Sequence, residues 1–235
     1  MSKKVGIICA GDREFAPFIN HIDNVKVTQK AMLKIYEGDI EGAHIAALFC
    51  GVCKVNAAIA TQVLIDHYNV DIVINAGTAG GMDKGLSLFD TVISTETAYH
   101  DVADHILTGF HPWLDTVYFP ADKELLHLSR IAVQKMGKTD SVFWGRMVTG
   151  ESFIEDAARD KINEKYSPLS VDMESASIAH VCYVNQIPFI SIRSITDTAD
   201  HSGVGAFEEN CEKASGISKD ITLALLKELA KSIGF

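Results

Sequence analysis

Ile192-Arg193-Ser194-Ile195-Thr196-Asp197 closes an apolar run that begins at Phe189, and it stops abruptly in Arg, Thr and Asp. A strand ending this way marks the edge of an α/β sheet, where ligands bind. Upstream, Val171-Asp172-Met173-Glu174-Ser175-Ala176 sets two acids around a methionine at a helix start. That exceeds what the positive end of a helix dipole calls for. Near the N-terminus the strand Val5–Ala10 runs into Gly11-Asp12-Arg13-Glu14. Carboxylates thus stand at three separate strand ends.

Outward from these segments, strand and helix patterns alternate. Met32–Glu37 and His44–Cys50 read as strands around a hairpin at Asp39-Ile40-Glu41-Gly42. Lys54–Tyr68 carries Val55, Ala58, Ile59, Val63 and Leu64 on one face, which predicts an amphipathic helix. Asp71–Ala76 reads as a buried strand leading into a glycine turn, Gly77-Thr78-Ala79-Gly80-Gly81. Thr91–Ala98, Val142–Thr149 and Phe189–Ile195 are further strands. Glu14–His21, Ala121–Met136, Glu155–Tyr166, Met173–Asn185 and Cys211–Ser232 are helices. His100–Pro120 is the least regular stretch, an apolar loop of the kind used as a lid or an oligomer contact. The alternation predicts an α/β three-layer sandwich with a central β-sheet flanked by helices, and the hairpin makes that sheet mixed. With no repeat or linker, residues 1–235 are expected to form a single domain.

The 235 residues suffice for a sizeable core, and a net charge of −10 argues against nucleic acid or an anionic membrane as partner. No apolar run approaches the ~20 residues of a membrane helix. Met1-Ser2-Lys3-Lys4 enters a strand directly, without a cleavage signal. Five cysteines without an export signal read as reduced thiols, so a cytoplasmic location is expected. Cys50-Gly51-Val52-Cys53 is either a redox pair at a strand-to-helix junction or a tight glycine turn with two small buried residues. His100, Asp101, Asp104, His105 and His111 are metal-ligand types gathered in a loop, without the helical spacing of zinc motifs. No metal and no cofactor are expected.

Glycines at Gly77–Gly81 allow a ligand close to the backbone, but the segment is not G-x-G-x-x-G, so a dinucleotide is a poor fit. Glu174 is expected to point inward and Asp172 to be structural. Arg193 and Asp197, four apart at a strand end, are either a plain buried ion pair or part of a site.

Four strings in consistent order carry a wider likeness: Asn75–Gly81, Gly150-Glu151-Ser152-Phe153-Ile154, Val171–Glu174 and Arg193–Asp197. Together they resemble the bacterial 5′-methylthioadenosine/S-adenosylhomocysteine nucleosidases of the purine nucleoside phosphorylase superfamily. That resemblance implies a homodimer that hydrolyses the bond between adenine and a 5′-thio-substituted ribose, with a small-molecule nucleoside as its ligand. It implies Glu14 as the base that activates water and Asp197 as the acid at nitrogen 7 of adenine. It places Glu174 on the ribose hydroxyls, Met173 against the sugar, and Phe153 and the Ile154 backbone on adenine. Arg193 would orient Glu174, Thr78 and Thr196 would serve the catalytic centre, and Phe207 and Val52 would wall the 5′ pocket. Methionine salvage is one setting the family serves. The residues do not rank methylthioadenosine, S-adenosylhomocysteine and 5′-deoxyadenosine as substrates.

The chemistry fits those roles. Cleavage develops positive charge on the sugar and negative charge on the base, so one acid must be ionised and another must hold a proton. The competing expectation is a phosphorylase, which needs arginines to hold phosphate. Many relatives place one where this chain has Asn75. Arg13 and Lys54 are the cations that keep that alternative open.

Overall fold

The computed structural model of the chain describes residues 3–103, 105–111, 113–154, 156–199 and 204–233. Ten strands and seven helices alternate among them. The strands are β1 (Lys4–Cys9), β2 (Asp23–Lys30), β3 (Leu33–Ile40), β4 (Ala43–Phe49), β5 (Ile72–Gly81), β6 (Thr91–Tyr99), β7 (Tyr118–Pro120), β8 (Val142–Thr149), β9 (Ser170–Asp172) and β10 (Phe189–Asp197). The helices are α1 (Asp12–Ile19), α2 (Lys54–Tyr68), α3 (Ile106–Phe110), α4 (Lys123–Lys135), α5 (Asp156–Tyr166), α6 (Ser175–Asn185) and α7 (Val204–Ile233).

Strands β4, β1, β5 and β10 are parallel neighbours, and β3 and β2 continue the sheet antiparallel. The sheet is mixed and flanked by helices, as the early hairpin implied. Beyond β5 it closes on itself: β5 pairs with β10, β10 with β6, β6 with β8, β8 with β9, and β9 back onto β5. Alternation along β1 sends Val5, Ile7 and Cys9 into a core with Phe15 of α1, Leu125 of α4 and Leu225 of α7. Ile8 faces the other way, toward Ala57 and Leu64 of α2 and Ile178 of α6.

Five expectations need correction. Gly77–Gly81 is not a turn but the second half of β5, paired to β10 and β9. Its glycines permit close approach across the strand. A Cβ on Gly77 would stand 2.5 Å from Glu14 Oε1 and 2.8 Å from Arg193 Nη1, and one on Gly80 would stand 3.0 Å from Asp197 Oδ2. Strand β2 was missed because it is an edge strand with no buried residue, so it carries no apolar alternation. The three-residue β9 was too short to show a period. Helix α7 begins seven residues before the expected Cys211, with Phe207 and Glu208 in its first turns. Within the stretch read as a loop, α3 and β7 form, and β7 pairs with β6.

Gly77→Ala is expected to lower stability by ~1–3 kcal/mol, the cost of overpacking a filled site. Denaturant unfolding with a midpoint equal to that of the parent would contradict the close approach described for β5.

Candidate active site

The three acidic strand ends converge on one cavity of about 290 Å³. Every side chain that the resemblance assigns to the site lines it: Glu14, Asp197, Glu174, Met173, Phe153, Ile154, Arg193, Thr78, Thr196, Phe207 and Val52.

Arg193 lies at the base of the cavity, 1% exposed, with a carboxylate on each side. Its Nη2 donates to Glu174 Oε2 at 3.0 Å, Nε sits 3.2 Å from Asp172 Oδ2, and Nη1 lies 3.4 Å from Glu14 Oε1 while donating to the Thr78 carbonyl at 3.1 Å. Burial alone would pull this guanidinium down, but Asp172, Glu14 and Glu174 carry it above its usual range. The reading of Arg193 and Asp197 as an ion pair is corrected by this arrangement. The arginine belongs to three other acids.

Glu14 occupies the third position of α1. Its Oε2 accepts from the backbone N–H groups of Ala10 (2.7 Å) and Gly11 (3.1 Å), and its Oε1 from Thr78 N–H and Thr78 Oγ1, both at 2.7 Å. A glutamate at this position returning to the N-cap amide is half of a capping box. Here the same carboxylate also reaches across to β5, which local sequence cannot show.

Asp172 is structural, as expected. Its Oδ1 accepts from the N–H groups of Glu174 and Ser175, which caps α6, while Oδ2 braces Arg193. Glu174 is thereby freed from capping and faces the cavity. Its Oε1 accepts from the Cys53 N–H at 2.9 Å. Cys53 has φ +85°, a conformation costly for a side-chain-bearing residue, and it turns that amide toward Glu174. Burial pushes the Glu174 carboxyl up to about 7. Arg193 opposes the rise, and Asp172 and Glu14 add to it.

Asp197 ends β10, where the register with β5 slips between Ile195 and Asp197. Its Oδ1 accepts from Thr196 Oγ1 at 2.9 Å. Burial raises its carboxyl above the usual range, while the Thr196 hydroxyl and the Arg159 guanidinium pull the other way. Arg159 was not foreseen. It is buried on α5, donates to the Gly81 carbonyl, and its Nε and Nη2 have no hydrogen-bond partner among the described residues. Its helix reads as polar, so nothing in the pattern marked it. Above this floor, the Phe153 and Phe207 rings meet edge to face at 5.7 Å.

The other candidates fall outside the cavity or are already engaged. Both cations weighed for phosphate are paired. Arg13 lies against Glu208, and Lys54 Nζ donates to both Asp101 oxygens at 2.9 Å. Asn75 is fully buried and donates to Ser175 and Ser191. Cys50 and Cys53 are free, and burial raises both thiols, the opposite of an activated redox pair. In the His100–His111 group, Asp101 holds Lys54 and His111 packs on Trp113 and His180, while Asp104 lies outside the described residues. No three His, Cys, Asp or Glu are grouped to hold a metal ion among the described residues.

Residues 4–227 match the model of the phosphorylase superfamily. The chain is 37% identical to a 5′-methylthioadenosine/S-adenosylhomocysteine nucleosidase of Exiguobacterium sp. (strain ATCC BAA-1283 / AT1b), over 97% of this chain and 100% of that protein. It belongs to this nucleosidase family of the phosphorylase superfamily. Two solved nucleosidases of the family superpose with TM-scores of 0.88. One, from Neisseria meningitidis in complex with methylthio-immucillin-A, is 30% identical, over 96% of this chain and 99% of that one. The other, from Colwellia psychrerythraea in complex with adenine, is 31% identical, over 97% of this chain and 96% of that one. The sequence pattern did not reveal the closed strand circuit.

The pH profile checks the Glu174 environment. Any hydroxyl donating to Glu174 needs its carboxylate form, which is lost as pH falls through its raised value. The kcat/KM of the free enzyme is therefore expected to drop on the acid side of about pH 7. In kcat the limb moves lower, because donated hydrogen bonds favour the carboxylate. Glu174→Gln removes the limb. The same limb surviving in Glu174→Gln would show that another group causes it.

Proposed function

We propose that the protein hydrolyses the N-glycosidic bond of 5′-methylthioadenosine and S-adenosylhomocysteine, releasing adenine and the 5′-substituted ribose. The observation that carries this reading is the pairing, in one cavity, of a carboxylate held by donors on both oxygens (Glu14) with a carboxyl that burial biases toward its protonated form (Asp197). In this reading Glu14 orients and deprotonates the attacking water, and Asp197 gives a proton to nitrogen 7 of the leaving adenine. Glu174, oriented by Arg193, holds the ribose hydroxyls, and Met173 packs on the sugar. Phe153 stacks on the base, the Ile154 backbone reads its edge, and Phe207 and Val52 wall the 5′ group. Thr78 steadies Glu14 and Thr196 steadies Asp197. Three carboxylates around one arginine leave the floor acidic, which favours positive charge developing on the sugar.

Water is favoured over phosphate as nucleophile because Arg193, the buried cation lining the cavity, is already tied to three carboxylates. Adenine release from methylthioadenosine should proceed in phosphate-free buffer at a rate indifferent to added phosphate. A rate that requires phosphate, with a ribose 1-phosphate product, would establish a phosphorylase instead. Glu14→Gln and Asp197→Asn should each lower kcat by roughly 10²–10⁴, the worth of a general acid or base. Rates near those of the parent in either variant would remove that residue from the chemistry.

The proposal extends to a homodimer in the cytoplasm, serving methionine salvage. No helix among the described residues is long and apolar enough to cross a membrane. Val55 (69% exposed) and Ile59 share the outer face of α2 beside Val52, and Phe110 (79%) and Trp113 (82%) are bared nearby in sequence to α3. Apolar surface of this kind suits a subunit contact. Sedimentation should give a dimer that Val55→Glu weakens; a monomer at micromolar concentration would refute the assembly.

A further inference from the structure

Gly11 lines the cavity, and an added Cβ there would meet nothing within 4 Å. The open side leads to the rim, where two charged side chains also line the cavity: Arg13 of α1 and Glu208 of α7. Arg13 Nη1 lies 2.5 Å from Glu208 Oε2, and Nη2 donates to the Glu208 carbonyl at 2.9 Å. Both side chains are well exposed, so this pair contributes little to folding. Each adjoins a residue with a proposed duty in the site. Arg13 precedes Glu14, and Glu208 follows Phe207. On the same face of α7, Phe207 and Cys211 are four apart and give the cavity an apolar wall leading to that rim.

On the reading of the site given above, the 5′ substituent leaves the sugar along Phe207. A methylthio group ends against that wall. A tail ending in an α-amino acid continues to the rim with one carboxylate and one ammonium. We propose that Arg13 and Glu208 form a clamp for that zwitterion, and so set the preference of this enzyme for amino-acid-bearing 5′-thio nucleosides. The guanidinium fork takes the α-carboxylate, for which its geometry is suited. The Glu208 carboxylate takes the α-ammonium. One ion pair is exchanged for two, with no charge left unpartnered. Arg13 keeps its bond to the Glu208 carbonyl while the Glu208 side chain turns, so the clamp opens by side-chain rotation alone.

The test compares kcat/KM for S-adenosylhomocysteine and methylthioadenosine in the parent, Arg13→Gln and Glu208→Gln. A third substrate is S-adenosylhomocysteine lacking its amino group. Each variant should lower the ratio of the first substrate to the second roughly fivefold through KM, the scale of an exposed charge contact. The deaminated substrate should respond to Arg13→Gln and not to Glu208→Gln. The double exchange Arg13→Glu/Glu208→Arg keeps the α1–α7 ion pair, so a reduced ratio there separates recognition from bracing. An unchanged ratio in all variants, or equal losses on both substrates, would overturn the clamp and leave the nucleosidase reading intact. No turnover of either substrate by the parent would overturn both.

Discussion

A guanidinium out of water, tied to three carboxylates, is the interaction on which the rest of this structure depends. Arg193 comes from β10, and its partners come from α1, from the end of β9 and from the start of α6. Taking an arginine out of solvent is costly unless its partners are well placed, and removing one partner strands the others. The elements around the cavity are therefore locked in mutual register by charge, while the apolar layers on either face of the sheet supply the bulk of the stability. The close glycines of β5 belong to the same constraint. Side chains at Gly77 or Gly80 would push Glu14, Arg193 or Asp197 out of position.

The same arrangement divides labour among acids that look alike in sequence. Asp172 spends its oxygens on a helix start and on the arginine. Glu14 is held by four donors, two from the β1–α1 connection and two from β5. Glu174 is left with a raised carboxyl, and Asp197 stands further along β10 from the arginine, against Gly80, with its carboxyl raised by burial. Environment, not residue type, sets these four acids apart.

Much of this was legible from the chain. Apolar strands ending in acids pointed to the cavity edge, and the order of four motifs identified the family. What stayed hidden has physical causes. The capping-box geometry of Glu14 is local, but its contact with Thr78 spans the sheet. β2 buries nothing, so it leaves no alternation to read. The glycines of β5 mimic a turn because close packing and sharp bending favour the same residue. The strained amide of Cys53 and the half-partnered guanidinium of Arg159 depend on where distant backbone lies, and no spacing encodes that.

The closed circuit from β5 through β10, β6, β8 and β9 carries a consequence for motion. Strands inside it have neighbours on both sides, so their amides reach solvent only when much of the molecule opens. β2 has one neighbour and no buried side chain, and its amides can exchange by fraying. The molecule should therefore show a gradient of hydrogen-exchange protection, steepest across β1. The hairpin end loosens many times before the cavity floor does once, and the charged cluster around Arg193 sits at the still end of that gradient.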